Sequence, residues 1–173
     1  LYYQSPQSFD MITMSQIIDA VVATSPDGLI ISVPDIPALR KSIISASKKN
    51  IPIIVINAGS EIMEDVDILT YVGQSEYDAG VKAAKEMLKE DVTNVLCVNH
   101  EIGNISLDHR EQGFRKILTE NNVTVKTIPV DASDPSETKE MIRAYLTSNQ
   151  NVDGILTLGP LGAIPIMKLL KDL

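Results

Sequence analysis

Four short apolar runs, Gly28-Leu29-Ile30-Ile31-Ser32-Val33, Ile51-Pro52-Ile53-Ile54-Val55-Ile56, Val95-Leu96-Cys97-Val98 and Gly154-Ile155-Leu156-Thr157-Leu158, punctuate this chain at wide intervals. Between them, apolar residues recur every three or four positions: Met14, Ile17, Ile18, Val21 and Val22; Leu39, Ile43 and Ala46; Val81, Ala84 and Leu88; Phe114, Ile117 and Leu118; Met141 and Tyr145; Ile166, Leu169 and Leu170. Period-3.6 stretches alternating with strand-length runs are the pattern of a parallel α/β sheet crossed by helices. The runs are continuously apolar rather than alternating, which predicts strands covered by helices on both faces. Tyr71-Val72-Gly73 and the segment from Val123 to Ile128 are weaker strand candidates, and Leu1-Tyr2-Tyr3 reads as the end of another. Ser75-Glu76-Tyr77-Asp78 has capping-box spacing, and Asp134-Pro135-Ser136-Glu137 offers a cap followed by proline at the first helical position. The expectation is βα repeated about six times.

Within that frame, charge and composition exclude several functions. Fifteen Lys and Arg against 23 Asp and Glu give a formal charge of −8, and no basic cluster is present to release counterions from a phosphate backbone. Direct nucleic-acid contact is therefore not expected. With no Trp and two Phe, a platform of stacked aromatics has few candidates, so a sugar site here has to be polar. The single Cys97 cannot form an internal disulfide; inside an apolar run it reads as a small buried hydrophobe. No run is long enough for a membrane-spanning helix, and Leu1 to Pro6 has neither the basic start nor the apolar stretch of a signal peptide.

Ligands of open α/β sheets bind beyond the carboxyl ends of the strands, which directs attention to Ser32-Val33-Pro34-Asp35, Asn57-Ala58-Gly59-Ser60, Asn99 to Asn104, Val130-Asp131-Ala132 and Gly159-Pro160-Leu161-Gly162. These loops carry small residues and neutral hydrogen-bonding groups, a chemistry suited to a polar uncharged ligand. Arg110 sits early in its helix, where the dipole opposes its charge, so either a ligand or a carboxylate such as Asp108 has to compensate. Asn57 can serve a ligand or an ordinary turn, and His100 a ligand or a hydrogen bond within its own unit. Asp35, before Ile36-Pro37, reads as a helix cap in preference to a ligand group. His100 and His109 have no zinc spacing, so no metal and no cofactor is expected. Phosphate-loop, dinucleotide, nucleophile-elbow and zincin signatures are all missing, and no enzyme activity is expected. Asn104-Ile105-Ser106 and Asn122-Val123-Thr124 match the glycosylation sequon, which matters only in a eukaryotic secretory context.

The segment from Tyr71 to Gly80, preceded by Asn50 to Asn57, resembles the type I periplasmic sugar-binding proteins of the ribose-binding-like group; Asp27 to Asp35, Asp108 to Phe114 and Asp153 to Leu158 continue the likeness in order. The resemblance implies two doubly wound parallel-sheet lobes, here incomplete at both ends: residues 1–74 as part of the first lobe, lacking its first strand and helix, and residues 75–173 as most of the second. It places Arg110 where the family's guanidinium meets the sugar, Asn57 where ribose binders carry an acidic contact, and Ser32 at another polar contact. Ala58 and Gly159 stand where the ribose group has an Arg and an Asn, which argues against ribose itself. His100 and Asn104 are substitute contacts inferred from their positions, and Asp131 and Gly159 complete the candidate ligand-binding set.

The resulting expectation is a solute-binding protein, periplasmic or extracellular, that closes on a small neutral sugar or polyol without changing it covalently. Its partner would be a membrane permease or a sensor protein, with no membrane insertion of this segment. The effector domain of a lactose-repressor-type regulator and an extracellular receptor domain share the same implied fold and stand as the alternatives.

Overall fold

The structure, a computed structural model, describes residues 1–131 and 133–172; of the expected loop Val130-Asp131-Ala132, Ala132 lies outside the described residues. The chain divides into two compact units, Leu1–Ser75 and Glu76–Leu173.

In the first unit, α1 (Met11–Ala23) leads to β1 (Leu29–Ile31), α2 (Ile36–Lys48), β2 (Ile53–Asn57), a 3-10 turn (Ser60–Glu64) and β3 (Thr70–Gly73). The strands are parallel in the order β1-β2-β3, with Leu29 opposite Ile53 and Val55 opposite Tyr71. Both helices begin on an aspartate: Asp10 accepts from the Ile12 and Thr13 amides, and Asp35 from Ala38, ahead of Pro37. Each satisfies amides that the first helical turn leaves unpaired. The Lys49 ammonium donates at 3.2 Å to the carbonyl of Val22 at the end of α1, where the dipole favours a cation.

Among the described residues the strands of this unit are covered on one face only, where the sequence predicts cover on both. Ile18 and Val22 of α1 and Leu39, Ile43 and Ala46 of α2 share one core with Leu29, Ile53 and Val55, so both helices lie on the same side of the sheet. The residues that alternate to the other side stay open, Ile30 at 56% and Val72 at 62% exposure. Leu1-Tyr2-Tyr3 forms no strand with the described residues. These residues are almost fully exposed and take part in none of the ladders; local β propensity does not hold a strand that has no partner.

The second unit is doubly wound. Its elements are α3 (Glu76–Met87), a 3-10 turn (Leu88–Glu90), β4 (Asn94–Asn99), α4 (Ile105–Glu120), β5 (Thr124–Pro129), α5 (Pro135–Ser148), β6 (Gly154–Thr157) and α6 (Pro160–Asp172). The parallel order is β5-β4-β6. Val95 on one face of β4 packs with Ala84, Phe114 and Leu118 of α3 and α4, and Leu96 and Val98 on the other with Ile142, Ile166 and Leu169 of α5 and α6. Here the continuous apolar run does mean burial on both sides. Cys97 is fully buried, and burial pushes its thiol up to about 12, so it packs as a hydrophobe. Asp134 caps α5 from ahead of Pro135, as its spacing predicts. Asp153, just before β6, accepts from the Thr93 and Asn94 amides at 2.7 and 2.9 Å and ties the start of β6 to the start of β4.

Two glycines set how closely α3 and α4 approach. A Cβ on Gly80 would lie 1.9 Å from the Arg110 carbonyl oxygen, and one on Gly113 would lie 2.1 Å from that of Tyr77. The helices therefore touch backbone to backbone, which no larger residue at these positions allows.

Candidate functional site

In the first unit the carboxyl ends of β1 and β2 bring Ser32 and Asn57 together. The Asn57 amide donates to Ser32 Oγ at 3.5 Å, the outer limit of such a bond. Asn57 adopts a left-handed backbone, φ +64°, and the Tyr71 hydroxyl lies 2.8 Å from its carbonyl and 3.0 Å from that of Gln74. Gly59 follows at φ +92°, where a Cβ would come within 2.5 Å of the Val33 carbonyl oxygen. This turn is fixed by its backbone, and the Asn57 side chain stays exposed at the rim.

The second unit supplies the denser cluster. His100 follows β4 directly and is 8% exposed. Gly159, after β6, makes room for it: a Cβ there would be 2.4 Å from His100 Cε1. Gly159 thus leaves the space that this imidazole occupies. His100 Nδ1 is buried without a hydrogen-bond partner among the described residues. A proton on that atom would be an orphaned buried donor, so the neutral ring carries its proton on Nε2. Burial lowers the His100 pKa; Glu101 works against this and Arg110 adds to it. The ring is therefore neutral at pH 7.

Arg110 projects from the second turn of α4. The sequence offers Asp108 as its partner, but the structure gives Glu76, from the first turn of α3: Arg110 Nε donates to Glu76 Oε2 at 2.6 Å and Nη2 pairs with the same oxygen. Arg110 Nη1 donates to the Leu158 carbonyl at the end of β6. The Gly80 contact explains the pairing, because bringing the Arg110 backbone against α3 sets its side chain beside the residue one turn ahead of Gly80. Glu76 is 9% exposed and Arg110 24%, a charge pair largely withdrawn from water. Two of the five guanidinium N–H groups have no partner among the described residues.

Asn104 belongs to the scaffold. Its Oδ1 caps α4 by accepting from Ser106 and Leu107, and its Nδ2 donates to Glu101 at 2.9 Å. An amide so engaged and buried is also closed to glycosylation in the folded chain. Asp131 lies past the end of β5 with its Oδ1 accepting from the Ser133 amide and hydroxyl; those hydrogen bonds hold its carboxyl below the usual range. His100, Arg110 and Gly159 thus converge, joined by Glu76; Asn104 and Asp131 order their own loops. Glu76 is the residue that sequence reasoning missed. It stands 34 positions from Arg110, and its only local signal is its place in a helix-start segment. Among the described residues no group of acids, histidines and cysteines is arranged to hold a metal, and no helix is long and apolar enough to cross a membrane.

This architecture recurs in known proteins. A carbohydrate transporter from Acidothermus cellulolyticus 11B, solved in complex with myo-inositol, superposes with TM-score 0.87 at 28% identity, over 94% of this chain and 56% of its own. A periplasmic sugar-binding protein of an ABC sugar transporter from Legionella pneumophila gives TM-score 0.89 at 24% identity, over 96% and 62%. A LacI-type transcriptional regulator from Bacteroides fragilis shares the fold at TM-score 0.80 and 19% identity, over 95% and 58%. The chain spans about three fifths of the length of these proteins. A search of the curated proteins finds no match. The model of the periplasmic binding protein domain matches residues 1–173, and with two units of parallel α/β sheet whose polar groups gather at the strand ends, the chain belongs to that family.

Proposed function

We propose that the protein is a solute-binding component of sugar uptake or sensing, which takes a neutral sugar or polyol at the strand-end loops and releases it unchanged. The observation that carries this reading is Arg110. It is anchored by Glu76 and the Leu158 carbonyl and left with two N–H donors beside the neutral His100. A fixed donor array loses little freedom when a hydroxyl oxygen docks on it, and it penalises analogues that lack that hydroxyl. Ser32 and Asn57 offer a second, exposed set of neutral groups, and Gly159 contributes by the room it leaves for His100. The myo-inositol complex of the Acidothermus relative supports a polyol or sugar as the ligand class.

In this reading the ligand favours the form of the protein that binds it best, and a permease or sensor protein reads that shift in population. The place of action is periplasmic or extracellular, in keeping with the family. A thermal-shift screen of pentoses, hexoses and polyols on the complete protein tests it. A ligand at a hundred times its Kd stabilises by about 2.7 kcal/mol, and Arg110→Ala is expected to abolish the shift. A parent that responds to no neutral sugar or polyol, or an Arg110→Ala variant that binds as tightly as the parent, refutes the proposal.

A further inference from the structure

We infer that Glu76 sets the charge selectivity of this site, admitting neutral sugars and polyols and rejecting sugar acids. The inference rests on the sugar-binding reading above and adds to it the residue that decides between ligand classes.

A lone buried arginine is a carboxylate receptor, because its planar fork matches two carboxylate oxygens. Here one edge of that fork is already taken. Nε and Nη2, which form one edge of the fork, both point at Glu76 Oε2, and Nη1 is directed to the Leu158 carbonyl. What remains, among the described residues, is one N–H on each of Nη1 and Nη2, carried on an ion pair with no net charge. Such donors suit the lone pairs of a hydroxyl or a ring oxygen. A ligand carboxylate would instead meet the Glu76 charge close by, in a site only partly open to water, where like charges repel strongly.

The other polar groups at this end do not offset that repulsion. His100 is buried, its Nδ1 without a partner among the described residues, and contributes a neutral ring. Glu101 adds a further negative charge, held by the Asn104 amide. Asp131 adds another, turned onto Ser133. Arg110 and Glu76 cancel, so the balance here is negative. The carboxylates that make it so are engaged by protein donors, which also leaves a ligand ammonium without a dedicated partner.

The test is calorimetric, on the complete protein, with D-glucose, D-galactose and myo-inositol against D-glucuronate and D-gluconate, whose carboxylates lie at opposite ends of the carbon chain. Whichever neutral probe binds is expected to outbind both acids by about tenfold or more, the ratio that a modest like-charge penalty produces. Glu76→Gln keeps the shape and removes the charge. It is expected to move that ratio by about tenfold or more toward the acids, with the acid affinity falling as salt rises. Glu76→Asp keeps the charge and is expected to retain the neutral preference. The parent's own ratio is read without any variant, so a misfolded Glu76→Gln does not remove the test. Acids binding the parent as tightly as the neutral probes overturns the inference while the sugar-binding reading survives. A folded Glu76→Gln that weakens both classes equally also overturns it, since Glu76 would then only position Arg110. If no sugar of either charge binds the parent, the proposed function fails and this inference falls with it.

Discussion

Replacing Gly80 with alanine tests the helix crossing on which the site depends. Alanine is ordinarily the better helix former, by about 1 kcal/mol in a helix interior. At Gly80, however, the new methyl would stand 1.9 Å from the Arg110 carbonyl oxygen and 2.8 Å from the Phe114 amide nitrogen, so α3 and α4 must separate by about 1 Å merely to reach 3.0 Å. Both obstacles are backbone and cannot rotate aside. Overpacking of this kind costs about 1–3 kcal/mol, and it also draws Glu76 away from Arg110 and leaves a largely buried charge pair loosened, which is costly in itself. The net expectation is destabilisation by more than about 1 kcal/mol, read as a fall in Tm of several degrees at about 2–8 °C per kcal/mol. Gly162, inside α6, is the internal control. Its added Cβ would meet nothing nearer than Val98 Cγ1 at 3.6 Å, so Gly162→Ala is expected to stabilise by about 0.5–1 kcal/mol. Thermal melts of the two variants beside the parent decide the matter. A Gly80→Ala protein as stable as the parent refutes the claim that the helices meet backbone to backbone.

Two further outcomes follow from the titrating groups. The His100 pKa is lowered by burial, so the unfolded chain takes up a proton there before the folded one does. The stability tied to the neutral ring is complete above about pH 6.5 and is lost as pH falls toward the lowered folded value; His100→Gln is expected to flatten that part of a Tm-against-pH curve, and an unchanged slope refutes it. For Asp153, desolvation raises the pKa, but hydrogen bonds from Asn94 and Thr93 outweigh it and hold the carboxyl below 3.8. Its contribution is therefore present above the unfolded carboxylate pKa and lost in more acidic solution as pH falls through the folded value. Asp153→Ala is expected to cost about 1 kcal/mol in urea unfolding at pH 7, a figure at the low end because the site is solvent-exposed, and a difference that persists undiminished at pH 2 refutes the assignment.

The strand and helix order was legible because each element carries its own period. The apolar run at Val95 to Val98, the three-and-four spacing around Phe114 and the Asp-Pro start of α5 are local signals, and each becomes the element that it predicts. The family likeness was legible for the same reason, since its segments lie in order along the chain. Burial was not. Ile30 and Val95 look alike in sequence, yet one face of the first unit's sheet carries both of that unit's helices and the other carries neither, so only the three-dimensional arrangement decides which apolar run is covered twice. Leu1 to Tyr3 pair with no strand among the described residues, because pairing is a property of a neighbour that the run itself does not encode.

The site divides along the same line. The sequence by itself determined which residues can hydrogen-bond at the strand ends, that the chain is acidic, and that Arg110, early in its helix, needs a ligand or a carboxylate to compensate its charge. Only the tertiary structure chose Glu76 over Asp108 to supply that carboxylate. The choice follows from two glycines, Gly80 and Gly113, that let α3 and α4 close to backbone contact and so carry the first turn of one helix to the arginine of the other. It likewise gave Gly159 its meaning, as the space that His100 fills. Helix contact and side-chain volume are relations between segments far apart in the chain, and the period of neither segment records them.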